Sequence, residues 1–324
     1  MILVTGGAGY IGSHTVQELL RNGYEVVVLD NLCQGHREAV LTPHLEEVDL
    51  GDTPAVQRVF QTYPIEAVIH FAAFASVGES HHHPQLYFHN NVKNTLSLLD
   101  CMMAAKVGHF VFSSSCSVYG NPQYTPLDER HPLNPINAYA ESKRMVERIL
   151  AYYHTAYQLY SVSLRYFNAC GADIDGRLGE SHHPETHLIP LALNVATGKR
   201  THIDIYGTDY PTPDGSCIRD YIHVTDLAGA HIQALRFLKQ GEDGAFVFNL
   251  GTGSGYSVKE IIETCRAVTG HPIPVKEGPR RPGDPSILVA QADLTAQQLG
   301  WAPQHSDLNT IIQTAWHWER HKRF

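Results

Sequence analysis

Met1 to Thr5 read as a short buried strand, and Gly6-Gly7-Ala8-Gly9-Tyr10-Ile11-Gly12 follow it without a break. A helical pattern then runs to about Asn22, and after Gly23 the run Glu25-Val26-Val27-Val28-Leu29-Asp30 is a second strand ending in an acid. Strand, glycine turn, helix and strand within about 30 residues is a unit that binds a dinucleotide. Glycine permits the tight turn, lets a pyrophosphate approach the backbone, and lets the helix pack on the strand. The helix N-terminus then faces the anion. Here the spacing is Gly-x-x-Gly-x-x-Gly, through Gly6, Gly9 and Gly12. Asp30 suits an adenosine ribose with free hydroxyls and would repel a 2′-phosphate. Only His36 and Arg37 nearby could favour NADP, so NAD is expected.

The alternation continues along the chain. A short strand ends near Val48-Asp49-Leu50, a helix begins at Thr53 with Pro54 at its first position, and Ala67-Val68-Ile69-His70 is a strand. A long helix around Asn90 to Ala105, the strand Phe110 to Phe112, a helix from Ala138 to Gln158 and the strand Val162 to Arg165 follow. This order predicts an α/β fold, a doubly wound parallel sheet of Rossmann type with helices on both faces. Beyond Phe167 the pattern is more irregular. Helices are expected at His187 to Thr197, Val224 to Leu238, Ser257 to Thr269 and Asp307 to Trp318, the third opened by the capping-box pattern Ser257-Val258-Lys259-Glu260. Residues 1–167 are read as the NAD-binding domain and 168–324 as a smaller substrate lobe. The two are partly interleaved, because Ala245 to Leu250 could return to the main sheet.

An apolar content of 43% supports a real core, and a net charge of -9 argues against a general nucleic-acid binder. The six cysteines are scattered, no apolar run reaches membrane-span length, and no secretory signal is visible. A reduced, cytosolic protein is the expectation.

Chemistry converges on Asn137-Ala138-Tyr139-Ala140-Glu141-Ser142-Lys143. Four residues apart on a helix, Tyr139 and Lys143 share one face. A nearby ammonium stabilises phenolate, so the phenol should act as a base well below its free pKa of about 10. The turn Ser113-Ser114-Ser115-Cys116-Ser117 follows a buried strand, and in open α/β sheets ligands sit at the carboxyl ends of strands. Ser115 is the candidate to orient a substrate hydroxyl, with turn capping as its plainer role.

With the Tyr-x-x-x-Lys pair, the glycine turn and this serine in place, the chain resembles the extended short-chain dehydrogenase/reductase family. The likeness is specific to members that epimerise C4 of a UDP-hexose. It runs through Val77-Gly78-Glu79-Ser80, Asn90-Asn91-Val92 and Arg165-Tyr166-Phe167-Asn168. Its most specific stretch is Gly207 to Gly215, continuing in Arg219-Asp220-Tyr221-Ile222-His223-Val224. The resemblance implies catalysis by Tyr139, Lys143 and Ser115. NAD would be held by Gly6, Gly9, Tyr10, Ile11, Gly12, Asp30, Asn31, Asp49, Leu50, Phe71, Ala72, Ala73, Asn91, Tyr139, Lys143 and Phe167. A UDP-sugar would be held by Ser115, Asn168, Leu188, Tyr206, Arg219, Arg281 and Asp284. It also implies a homodimer through the helices around residues 90 to 105 and 140 to 155. Two departures stand out: Ala75 replaces a lysine that members often place near the pyrophosphate, and Leu288 falls at the position thought to limit acceptance of N-acetylated sugars.

A nucleotide-sugar 4,6-dehydratase would need an Asp-Glu pair where this chain has Cys116 and Ser117, and a NAD-sensing protein could dispense with the base altogether. His81-His82-His83, and His182-His183 with His187, raise a metal reading. Pro184 interrupts any helical face between the latter, and no cysteine or paired acid is seen to complete a tetrahedral set, so loop histidines and no metal are expected.

Overall fold

The computed structural model describes residues 1–324 except Pro282. Six strands of the first half are β1 (Ile2–Thr5), β2 (Val26–Asp30), β3 (Leu45–Glu47), β4 (Ala67–His70), β5 (His109–Ser113) and β6 (Tyr160–Tyr166). With Ala245–Leu250 they form one seven-stranded sheet in the order Ala245–Leu250, β6, β5, β4, β1, β2, β3. Every pairing in it is parallel. β1, β2 and β4 are buried along their whole length, as a sheet covered on both faces requires. Alternate side chains take opposite faces. Ile2 and Val4 pack with Val16, Leu19, Leu227 and Leu235, while Leu3 packs with Val56, Leu98, Met102, Val146 and Leu150.

The C-terminal half contributes directly to this sheet. Ala245–Leu250 pairs with β6 from Ala245 opposite Ser161 to Leu250 opposite Tyr166. Helix Val224–Lys239 packs on the same sheet through Leu227 and Leu235. The remaining lobe holds Ile203–Tyr206 paired with Val275–Gly278, and Ile218–Arg219 between Tyr256–Ser257 and Ile287–Leu288. Its own core gathers Ile189, Leu193, Ile261, Ile262, Ile311 and Ile312. The helix Val258–Thr269 opens on both halves of the capping box, Ser257 and Glu260.

Two local elements differ from the sequence expectation. The helix expected from Asn90 begins as a wide π-turn over Phe88–Lys93 before the regular Asn94–Ala104. Within that turn the Asn91 amide is buried: it accepts from Phe74 N at 2.9 Å and donates to Phe74 O at 3.0 Å and to Ser142 Oγ at 3.0 Å. His81 and His82 lie not in a loop but at the end of the short helix Val77–His82, fully on the surface. No helix among the described residues is long and apolar enough to cross a membrane.

Candidate active site

The helix Ala138–Tyr157 carries the central pair. Asn137 caps it by accepting from Ala140 N at 2.8 Å, which satisfies one otherwise orphaned donor. Its buried face is Tyr139, Ser142, Lys143, Val146, Glu147 and Leu150, so polar catalytic candidates share the stripe that packs on the sheet. Met145, on the same helix, is exposed. Beneath the helix Glu147 is fixed by Arg165, whose Nε and Nη2 reach its two oxygens at 2.9 and 2.6 Å, and by the Ser114 hydroxyl. Two donors from one guanidinium form a fork that sets the helix against β6.

A cavity of about 800 Å³ lies at the carboxyl ends of the strands, between the sheet and the lobe. On the sheet side it is lined by Gly6, Gly9, Tyr10, Ile11, Gly12, Asp30, Asn31, Asp49, Leu50, Phe71, Ala72 and Ala73. Ser115, Tyr139 and Phe167 border its middle, and Asn168, Leu188, Tyr206, Arg219, Arg281 and Asp284 line the lobe side. Of the expected site residues, Asn91 and Lys143 do not reach the wall. Asn91 is spent on holding Phe74, as described above. Leu288 packs behind the wall, against the cluster that holds Val118, Phe167 and Ala290.

The glycine turn fits a dinucleotide. Gly6 has φ +73°, and a Cβ there would lie 2.5 Å from Ala72 N. A Cβ on Gly12 would lie 2.1 Å from Gly6 O, so the helix Tyr10–Arg21 can close on the turn only without a side chain. A Cβ on Gly9 would meet only Gly6 O, at 3.4 Å, leaving the approach to the turn clear. Gly9 caps that helix with no side-chain hydrogen bond and no acid follows in the first turn, so its donors are left for an anion. Asp30 is braced by Ala8 N and Leu32 N, each at 2.9 Å, and still borders the cavity. Asn31 donates to Asp49 at 2.6 Å, tying two expected ribose and adenine contacts together. These residues would hold NAD along the carboxyl edge of β1 and β2.

On the lobe side Arg219 and Arg281 share one carboxylate: Arg219 Nη2 donates to Asp284 Oδ1 at 3.0 Å and Arg281 Nε to Asp284 Oδ2 at 2.9 Å. Two guanidiniums on one acid leave a surplus positive charge facing the cavity, suited to a diphosphate. Arg281 also lies over the Tyr206 ring, 5.1 Å from its centroid. Asn168 donates to Asp220 O at 2.7 Å. Asp220 itself is a structural tie, accepting from Thr252, Gly253 and Ala290.

Electrostatics at the centre run against the sequence expectation. Burial pushes the Tyr139 phenol well above its ordinary value, an effect that Tyr166 reinforces and Ser115 opposes. Burial pulls Lys143 down to about 7, with Glu147 opposing. The lysine Nζ donates to Ser113 O at 2.7 Å, and burial disfavours the ammonium charge that would lower the phenol. Ser115 both borders the cavity and caps the short turn after it, its Oγ accepting from Ser117 N at 3.2 Å.

Several cavity residues escaped the sequence reading. Tyr166 reaches Ser113 Oγ through its hydroxyl at 2.6 Å, and Cys116 and Ser117 line the wall. The paired acids thought to be missing beside the histidines are Glu180 and Glu185. With His182 and His187 they form a compact quartet at the cavity wall. Burial opposes charge on both imidazoles, yet the two carboxylates prevail, raising His182 to about 9 and His187 to about 10. The interleaving Glu180-x-His182-x-x-Glu185-x-His187 was the available signal.

Residues 2–251 match the NAD dependent epimerase/dehydratase family. The UDP-glucose 4-epimerase of Halalkalibacterium halodurans is 50% identical over 320 residues, which span 98% of this chain and 95% of that protein. That of Lacticaseibacillus casei is 48% identical over 318 residues, 98% of this chain and 96% of that one. Among solved structures, UDP-glucose 4-epimerase from Brucella ovis in complex with NAD superposes with a TM-score of 0.96 at 49% identity, covering 98% of each chain. UDP-glucose 4-epimerase from Bifidobacterium longum in complex with NAD+ and UDP gives 0.92 at 38% identity, covering 99% of this chain and 98% of that one. With a family match over most of its length and relatives near half identity from end to end, this chain belongs to the NAD dependent epimerase/dehydratase family.

Proposed function

We propose that this chain interconverts UDP-glucose and UDP-galactose by transient oxidation at C4 of the sugar, with NAD retained through the cycle. The observation that carries this reading is the continuity of one cavity. It joins the glycine turn and Asp30 to Tyr139 and Ser115, and these to the Arg219–Asp284–Arg281 cluster.

When bound, NAD would supply the hydride acceptor for oxidation at C4 of the sugar, the hydride donor for the return, and a positively charged ring. Tyr139 takes the proton of the 4-hydroxyl through its Oη and returns it to the same oxygen when the turned-over 4-keto sugar is reduced on its opposite face. That exchange needs a phenolate, which burial disfavours and an adjacent positive charge favours. Ser115 orients the 4-oxygen. Lys143, through Ser113 O, fixes the end of β5 that carries the serine turn. Arg219 and Arg281 grip the diphosphate, whereas Ser115, Cys116 and Ser117 offer only small side chains at the middle of the cavity. A firm hold on the nucleotide and a loose one on the sugar let the keto sugar turn over between the two hydride transfers. The same small residues give no carboxylic acid beside Ser115 to expel a 6-hydroxyl, which weighs against 4,6-dehydration.

The test is proton NMR of UDP-galactose with the purified protein and no added NAD. Appearance of UDP-glucose supports the reading, and an unchanged spectrum refutes it. A 4-keto-6-deoxy product, seen as an absorbing species after alkali, would assign the dehydratase reaction instead. We further propose a homodimer through the helices near residues 90–105 and 140–155, where Met145 and Tyr152 are exposed. Light scattering reporting one chain per particle would refute it. The six unpaired cysteines fit a reducing, cytoplasmic setting.

A further inference from the structure

The quartet Glu180, His182, Glu185 and His187 has no part in the hydride cycle. Its placement is nonetheless specific. Glu180 is buried, the four residues face the same cavity, and the His182 ring stands edge-on to Tyr10 of the glycine turn, 6.2 Å between centroids. Four donor atoms, one from each residue, lie within 4.8 Å of one another.

Their separations decide what they can hold. His187 Nδ1 is 2.7 Å from Glu180 Oε1 and 2.9 Å from Glu185 Oε1. His182 Nδ1 is 3.1 Å from Glu180 Oε1 and 3.8 Å from Glu185 Oε2. A tetrahedral zinc site with bonds of about 2.0–2.1 Å has ligand–ligand edges of about 3.3 Å. Three of these separations, 2.7, 2.9 and 3.1 Å, join one nitrogen of each histidine to one oxygen of each glutamate and fall just under that length, so a modest outward side-chain rotation opens the set around an ion. One imidazole N–H between two carboxylates is also crowded, since a single proton cannot serve both oxygens fully. A small cation at the centre would satisfy all four groups together. Two imidazoles and two carboxylates suit a borderline divalent transition ion better than calcium or magnesium, which prefer oxygen alone.

We propose that Glu180, His182, Glu185 and His187 form a binding site for one divalent transition-metal ion of the zinc or cobalt kind. This site stands apart from the epimerisation reading and does not depend on it. Among the described residues no other group of three or more histidine, cysteine or acidic side chains converges in this way.

The full-length protein as purified is treated with a chelator, dialysed against Zn²⁺ without UDP-sugar, whose diphosphate would compete for the ion, and assayed for retained metal. One equivalent per chain is expected, with affinity falling at least tenfold in H182Q/H187Q, the scale on which ligand environment changes affinity. H317Q/H321Q removes an exposed histidine pair on the helix Leu308–His321 and should change nothing. Because H182Q/H187Q could misfold, two measurements use the unaltered chain. Co²⁺ loading should give the intense visible bands of a four-coordinate site, and nitrogen-15 NMR of the histidines should show two Nδ1 atoms shifted by Zn²⁺. No stoichiometric zinc, octahedral cobalt bands, unshifted Nδ1 signals, or binding that survives H182Q/H187Q and disappears in H317Q/H321Q would each overturn the proposal.

Discussion

Lys143 and Tyr139 share a helix face, yet the lysine Nζ lies 5.8 Å from the centre of the tyrosine ring and spends its hydrogen bond on the Ser113 carbonyl, 2.7 Å away. Both groups are more than nine-tenths buried. Each is therefore driven towards its neutral form: phenol for the tyrosine and amine for the lysine. Ionising the phenol takes a further positive charge beside it, which a bound nicotinamide ring would supply.

Lys143→Met isolates the cost of that burial. The lysine titrates near 7 in the folded chain and near its ordinary 10.5 unfolded. Below pH 7 both states are protonated and the penalty on the folded state is complete; as pH rises towards 10.5 the unfolded state alone holds the proton and the penalty disappears. The melting temperature of the nucleotide-free variant relative to the parent should be highest below pH 7 and decline steadily to about pH 10. A difference that does not vary with pH would contradict this.

Tyr139→Phe removes the only proposed proton acceptor while keeping the ring. Turnover should fall by about 10²–10⁴-fold or more, the range of general-base contributions. Bound NAD, measured after acid release, should stay near one per chain.

Arg219→Ala deletes one of the two guanidiniums on Asp284. A hydrogen bond to a charged group is worth about 1.5–3 kcal/mol, so UDP affinity by calorimetry should fall about 10- to 100-fold. The same variant should leave NAD content unchanged, because the arginine lines only the lobe side.

Gly6→Ala forces a Cβ to within 2.5 Å of Ala72 N at a φ of +73°. The left-handed conformation alone costs a non-glycine residue about 1–3 kcal/mol. The purified variant should carry far less than one NAD per chain, read from its nucleotide absorbance.

Asn91→Ala separates a strut from a cofactor contact. The side chain holds the Phe74 backbone and Ser142, so the variant should lose about 1–3 kcal/mol of stability in denaturant. NAD affinity should drop by no more than this loosening of the wall explains, far less than in Gly6→Ala.

Much of the architecture was legible because it is written in local pattern. A short β-branched apolar run such as Val26 to Leu29, bounded by Gly23 and Asp30, reads as a strand buried on both faces, and glycines at 6, 9 and 12 suit a turn beneath a phosphate. Serine 257 with Glu260 announced a helix start, and the start is there. Nearly all the expected site residues border one cavity, since motif residues at strand ends are collected automatically by a parallel sheet.

What local pattern could not decide was solvation and convergence. Helical spacing put Lys143 beside Tyr139 in projection, but only packing determined that the ammonium turns to a backbone carbonyl and that burial pushes the phenol up and the lysine down. Asn91, which the resemblance implies beside the cofactor, has its amide buried against Phe74 by the π-turn over Phe88–Lys93, a placement no local pattern shows. Glu180 and Glu185 lie within seven residues of His187, yet their meeting depends on how the loop folds against Tyr10 and the lobe, a long-range outcome. Sequence determines which groups are available and which elements carry them; the tertiary fold sets their distances and their exposure to water, and those two quantities govern charge.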